Sequence, residues 1–321
     1  MAAAEQSRTA AEIATQPSSW RRAAEAVGAG GETAEALPRP GERVAVTGCG
    51  TSWFVAQSYA ALREAAGQGE TDAFAASEFP VRRAYDRVVA ITRSGTTSEV
   101  LDLVAALRGG SPAVPVTVLT ADRAAPAADA ADRAVVLDWA DEESVVQTRF
   151  ATTALALLRA GLEWHGALPA GVKPVERAAV DAELAVVQPL PAAAPAAEQW
   201  TFLGRGWTYG LALEAALKLR EAAGAWTEAY PAMEYRHGPV AIAGPHRLVW
   251  VLGSLPEGLS GDIAAAGGTL LAESDCAGTG EGALDPMADL IRVQRLAVAV
   301  AESHGTDPDH PRNLTRSVIL R

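Results

Sequence analysis

Residues 43–64 read RVAVTGCGTSWFVAQSYAALRE. Arg43 to Thr47 is a short β-branched run, Gly48 to Ser52 a tight polar turn, and a helical pattern follows from Trp53 to about Ala66. A strand that enters a glycine turn and leaves it as a helix is the opening half of a βαβ unit. The same sentence is written again nearby. Val88 to Thr92 is a strand, Arg93 to Thr97 a turn, and Ser98 to Arg108 a helix, with further strands expected at Val114–Leu119 and Ala134–Leu137. Beyond a Pro- and Ala-rich connection, VVQPLPAAAP at 186–195, it restarts: Trp200 to Leu203, then Gly204-Arg-Gly206, then a helix from Leu211. Val249–Leu252 and Gly268–Leu271 read as two more strands. GCGTSWFVAQSYAALRE at 48–64 aligns with GRGWTYGLALEAALKLRE at 204–221 once one residue is inserted, which points to a duplicated α/β unit.

The size agrees. A chain of 321 residues is about twice a typical domain. Hydrophobic residues at 49% and charged residues at 21% can bury a sizeable core and exclude a disordered chain. Lys and Arg number 27 against 39 Asp and Glu, and a formal charge of −12 has the wrong sign for a nucleic-acid partner. It leaves room for a local pocket that holds a small anion. Cys49 and Cys276 are too few for a disulfide framework, which suits a reducing compartment. The N-terminus lacks the apolar core of a signal peptide, and no run approaches the ~18 apolar residues of a membrane span, so a cytoplasmic chain with no membrane partner is expected. The first 40 residues read as one helix, Ala10 to Val27, followed by a Gly- and Pro-containing connection.

Three groups of residues carry chemistry. The turns at 48–52 and 92–97 combine glycine, which lets backbone approach a ligand, with the hydroxyls of Thr51, Ser52, Thr92, Ser94 and Thr97. Helix capping would explain either loop alone. Two of them at successive strand ends favour an anion site. No Gly-Lys-Ser/Thr follows, and G-x-G-x-x-x-G at 204–210 is one residue too long for the dinucleotide fingerprint, so a phosphate ester is expected and no cofactor. The second group, Glu214, Lys218 and Glu221, falls on one helix face. Such a stripe is often solvated, but Leu211, Leu213, Leu217 and Leu219 make this helix apolar around much of its circumference, and buried carboxylates need a partner or a purpose. The third is His237, a lone histidine in the loop EYRHGP at 234–239. His165, His246, His304 and His310 have no metal-ligand spacing, so no metal is expected. Cys49, between two glycines, reads as packing.

Taken together, GCGTS at 48–52, RSGTTSEVLDLVAALR at 93–108, VVQTRFATTALALL at 145–158, the long stretch at 202–242 and HPRNLTRSV at 310–318 resemble the sugar isomerase (SIS) family. The likeness is to the two-SIS-domain isomerase portion of glucosamine-6-phosphate synthase, and it runs from about residue 43 to the end. It implies two tandem SIS domains, each a three-layer α/β/α sandwich of flavodoxin-like type around a parallel sheet. The expected division is an N-terminal helical segment at 1–40, a first domain at 41–185, a second at 196–305 and a tail over the active site at 306–321.

The resemblance also implies roles. Thr51, Ser52, Thr92, Arg93, Ser94, Thr97, Val145 and Arg316 would hold a sugar 6-phosphate. Glu221 would move a proton between C1 and C2, Lys218 would orient or polarise beside it, and His237 would open the ring from the neighbouring subunit of a homodimer. Two departures matter. The family's tail carries a lysine able to form a Schiff base, and Arg316 stands there; a guanidinium stays protonated and cannot do that chemistry. Arg93 and Thr96 replace the family's usual Gln and Glu, so a more basic pocket is expected. No amidotransferase domain precedes the matched region, so an internal ammonia supply is not expected. Removal of the C2 proton leads to deamination or isomerisation when the nitrogen is a free amine. When the nitrogen is acetylated it leads to loss of the C3 hydroxyl, as in a dehydratase of N-acetylglucosamine 6-phosphate, and Arg316 tilts the balance that way. SIS domains also serve as sugar-phosphate sensors, in which Glu221 and His237 would be superfluous.

Overall fold

The computed structural model describes residues 6–110, 112–166, 168–272 and 282–320; Cys276 lies outside them. In chain order the elements begin with α1 Arg8–Ala14, α2 Gln16–Gly28, α3 Gly31–Ala36, β1 Val44–Gly48, α4 Thr51–Ala65 and β2 Thr71–Ala75. There follow β3 Arg87–Ile91, α5 Ser98–Arg108, β4 Val116–Thr120, α6 Pro126–Ala130, β5 Arg133–Val136, α7 Arg149–Trp164 and α8 Val175–Val187. The remainder is β6 Gln199–Gly204, α9 Thr208–Ala223, β7 Thr227–Pro231, β8 Arg247–Leu252, α10 Leu259–Ala265, β9 Thr269–Leu271 and α11 Pro286–Ser303.

Two parallel sheets organise the chain. The first runs β2-β1-β3-β4-β5 and the second β7-β6-β8-β9, the same order one strand shorter. Two tandem α/β sandwiches of flavodoxin-like strand order are therefore what the residues build. The central strands β1, β3 and β4 are buried at every position, as strands covered on both faces must be. Val88, Ala90, Val116 and Val118 pack there with Val100, Val104 and Leu107 of α5. In the second sheet Leu203, Val249 and Val251 pack with Tyr235, Leu259 and Ile263.

The chain divides into two compact units that interleave in sequence. Met1–Pro17, Glu143–Thr148 and Arg177–Leu314 go with the second sheet; Ser18–Glu142, Arg149–Glu176 and Thr315–Arg321 go with the first. The single helix expected over 10–27 is two helices. Thr15 closes α1, its hydroxyl donating to the Glu12 carbonyl at 2.8 Å beside its own backbone N–H. Pro17 follows, and its ring has no N–H and would strike the carbonyl of Ile13 in a continuous helix.

The Gly-x-Gly turns carry the duplication into three dimensions. Gly50 and Gly206 both have positive φ, 53° and 57°. Gly48 and Gly204 both end a strand where the first turn of the next helix crosses it. A Cβ on Gly48 would stand 2.5 Å from the Ser52 Cβ, and one on Gly204 would stand 2.2 Å from the Thr208 carbonyl oxygen. The second clash is with backbone and cannot be relieved by a rotamer. Gly204→Ala is expected to destabilise the second-sheet unit by about 3 kcal/mol, read from urea unfolding by tryptophan fluorescence; a loss under about 1 kcal/mol would mean that α9 is free to shift. Among the described residues no helix is long and apolar enough to cross a membrane.

Candidate active site

In the first-sheet unit, the loops after β1 and β3 lie on either side of the point where strand order reverses. Open α/β sheets bind their ligands there. Thr51 and Ser52 form the first turn of α4 and are buried, at 5% and 4% exposure. After β3, Thr92 and Arg93 are buried while Ser94, Thr96 and Thr97 are half-buried. Gly95 makes the tight turn, with φ 61° and Ala125 packed where its Cβ would be.

The hydroxyls of this loop gather. Thr96 Oγ1 is within hydrogen-bond distance of Ser94 Oγ at 3.0 Å and of Ser317 Oγ at 2.9 Å, donating to one and accepting from the other, and Thr97 Oγ1 lies 3.4 Å from Ser317 Oγ. The tail is fastened beside them, since Ser98 N–H donates to the Val318 carbonyl at 3.2 Å and Leu320 N–H to Ser98 Oγ at 2.8 Å. Ser317 is not among the residues the sequence singles out, and Thr96 is named there only as a departure from the family's pattern. Ser317 had a signal there, as the neighbour of Arg316 in the tail motif.

The two arginines are engaged. Arg93 is 3.4 Å from the Glu142 carboxylate, both side chains being buried, and Arg316 pairs with the Asp141 carboxylate and the Glu142 carbonyl. Glu142 also accepts the Arg149 N–H at 2.6 Å, capping α7. Of the two substitutions behind the expected basic pocket, Arg93 and Thr96, the charge of Arg93 is offset by the buried Glu142 carboxylate. Cys49 is half-buried, and burial with the nearby Glu99 charge pushes its thiol up to about 11. It is a protonated packing group at neutral pH.

In the second-sheet unit, α9 brings Glu214, Lys218 and Glu221 together. Lys218 Nζ lies 2.5 Å from Glu221 Oε2 and 3.3 Å from Glu214 Oε1, and it donates to the Gln147 carbonyl at 2.9 Å. Lys218 and Glu214 are each 1% exposed at the side chain, but Glu221 keeps 20% of its side chain open. The arrangement is a buried ammonium holding a carboxylate that still presents an edge. A carboxylate so fixed can take a proton from a neighbouring carbon acid without first choosing a rotamer.

Val145 belongs to the 143–148 segment of this same unit, and its N–H donates to the Asp309 carbonyl at 3.1 Å. His237 is exposed. It follows the single turn Glu234–Arg236, which Arg236 anchors to Asp262 at 2.6 Å and to the Glu257 carbonyl at 2.6 Å. Its ring makes no hydrogen bond or ion pair with the α9 trio among the described residues. Nor do any three His, Cys, Asp or Glu side chains group as metal ligands among them.

No protein-family model matches the chain. Glutamine–fructose-6-phosphate aminotransferase (isomerizing) of Xanthomonas campestris is 32% identical over 330 residues, covering 90% of this chain and 54% of that protein. The chain thus spans about half the length of the curated relatives it matches. Among solved structures, glucosamine-6-phosphate deaminase of Thermotoga maritima superposes with a TM-score of 0.77 at 23% identity, over 98% of this chain and 100% of that one. Tagatose-6-phosphate ketose/aldose isomerase of Escherichia coli gives 0.76 at 20%, over 98% and 99%. These two establish likeness of fold.

Proposed function

The chain belongs to the two-domain sugar isomerase (SIS) family, and from that premise we propose that it is an enzyme acting on an amino-sugar or related sugar 6-phosphate. Its reaction begins with removal of the proton on C2 of the open-chain sugar. The observation that carries this reading is the Lys218–Glu221 pair, 2.5 Å apart, with the lysine buried and the carboxylate edge open. A C2 proton beside a C1 aldehyde is acidic enough for a carboxylate that is held in place. Lys218 fixes the carboxylate, and Glu221 returns the proton to C1 in an isomerisation. The hydroxyls of Thr51, Ser52, Thr92, Ser94 and Thr97, with the amide ends of α4 and α5, supply the donors a phosphate monoester needs. A homodimer in which His237 reaches the partner's sugar completes the reading.

The fate of the C2 carbanion depends on the nitrogen. With a free amine, proton return at C1 gives the C2 imine, and water releases ammonia and the ketose phosphate. With an acetylated amine, the electron pair forms the C2–C3 double bond, and the C3 hydroxyl takes up the proton that Glu221 removed from C2 and leaves as water. One observation favours this elimination as a second reading. Arg316 stands in the tail where the family carries an amine nucleophile, and it is occupied by Asp141 and Glu142; elimination needs no such nucleophile.

Incubation with glucosamine 6-phosphate and with N-acetylglucosamine 6-phosphate, read by product mass, tests both. Ammonia release or ketose formation from the free amine supports isomerase and deaminase chemistry. Loss of water from the acetylated sugar selects the lyase. Turnover of neither, with tight binding of both, returns the chain to the class of sugar-phosphate sensors.

A further inference from the structure

Lys218 is held from outside its own helix as well as from within it. Its ammonium donates to the carbonyl of Gln147, which sits in Glu143–Thr148, a segment without helix or strand. Backbone in such a segment must find its partners elsewhere. Glu12 of α1 provides them on one side. The residue is 7% exposed, and its carboxylate accepts the N–H of Glu143 at 2.5 Å, the N–H of Ser144 at 3.3 Å and the Ser144 hydroxyl. Asp309 provides them on the other. Its carbonyl accepts the Val145 N–H, and its carboxylate accepts Arg8 N–H at 2.9 Å, Thr9 N–H at 2.8 Å and Thr9 Oγ1 at 2.7 Å. Residues from both ends of the chain, all in the second-sheet unit, therefore grip a segment from its middle.

Loop capping by a buried carboxylate is ordinary. The consequence three residues on is not. An ammonium has three N–H bonds to direct, and the Gln147 carbonyl is an uncharged acceptor beside Glu214 and Glu221. If the segment slackens, that acceptor moves and the balance of the ammonium's contacts shifts toward the carboxylates. Glu221 then loses the one orientation that makes its open edge useful.

We propose that Glu12 is a positioning residue for Lys218 and Glu221: it holds 143–146 so that the Gln147 carbonyl meets the Lys218 ammonium. The proposal rests on the reading of that pair as the proton-transfer groups, and its test is readable without turnover. Lys173 and Lys218 are the chain's two lysines. Brief acylation with acetic anhydride, read by peptide mass, reports Lys218 against Lys173 as an internal standard.

In Glu12→Ala, the Lys218 acylation rate relative to Lys173 is expected to rise by about fivefold or more through local opening. kcat is expected to fall about 10- to 100-fold from misplacement of the base. Glu12→Gln keeps an oxygen for both N–H groups and is expected to restore protection and turnover, which a general loss of stability would not do. Unchanged Lys218 protection in a folded Glu12→Ala protein overturns the proposal. If Glu12→Ala does not fold, Ser144→Ala removes one grip alone; heightened Lys218 labelling supports the proposal and wild-type labelling overturns it. Loss of protection in a protein whose wild type turns over no sugar phosphate would uphold the placement by Glu12 and sink the catalytic reading instead.

Discussion

Glu221→Gln is expected to lower turnover of the sugar phosphate by about a thousandfold while sugar-phosphate affinity stays within about twofold. Glutamine preserves the size and one acceptor oxygen of the carboxylate but cannot take a proton from carbon. The lysine beside it keeps Glu214 and the Gln147 carbonyl. Glu221 is also partly open to water, so the change removes one side of a partly solvated pair and should cost stability only about 1 kcal/mol. Affinity and rate are thereby separated. Residual turnover above about a tenth of wild type would remove Glu221 from the proton-transfer role.

The same variant tests the partner-subunit histidine. Glu221→Gln mixed with His237→Ala should regain activity that neither has alone. In a symmetric dimer each mixed pair carries one doubly altered site and one intact site, so a random mixture recovers about a quarter of wild-type activity. If His237 serves its own chain, the mixture stays inactive.

How much of this was legible before the fold was known follows from what each residue has to satisfy. The strands that enter Gly48 and Gly204 are buried on both faces and read as apolar runs, so their signal is strong. The edge strands β2 and β7 did not stand out. Each is buried only at its first residue, Thr71 or Thr227, and half-open at the next four, and TDAFA and TEAYP carry no clean period. The face of α9 was legible because spacings of four and three define it within one helix. The Gln147 carbonyl and the Glu12 carboxylate were not, because a backbone oxygen has no sequence signature and Glu12 is 131 positions from the N–H it accepts. Arg93 shows the same limit from the other direction. As a departure from a familiar pattern it announced a basic pocket, but the sign of a site is set by neighbours, and Glu142 lies 49 positions away.

Lys218→Met is expected to destabilise the second-sheet unit by about 3–5 kcal/mol, the usual cost of removing one partner from a buried ionic group. Methionine fills most of the volume, so the loss is electrostatic. It leaves the Glu214 carboxylate, 1% exposed, without the ammonium 3.3 Å away, and takes a donor from the Gln147 carbonyl. Adding Glu214→Leu removes the second buried charge. The double variant should therefore recover to within about 1–2 kcal/mol of wild type, since apolar residues of similar volume commonly match a buried ion pair. Turnover should behave differently. In the double variant nothing holds the Glu221 carboxylate at 2.5 Å, so kcat should remain depressed about 100-fold although the fold has recovered. Urea unfolding and single-substrate kinetics on the same three proteins read both quantities. A single variant that loses less than about 1 kcal/mol would show that the trio does not secure this helix face. A double variant that regains turnover with its stability would reduce Lys218 to a structural group and leave Glu221 to act without it.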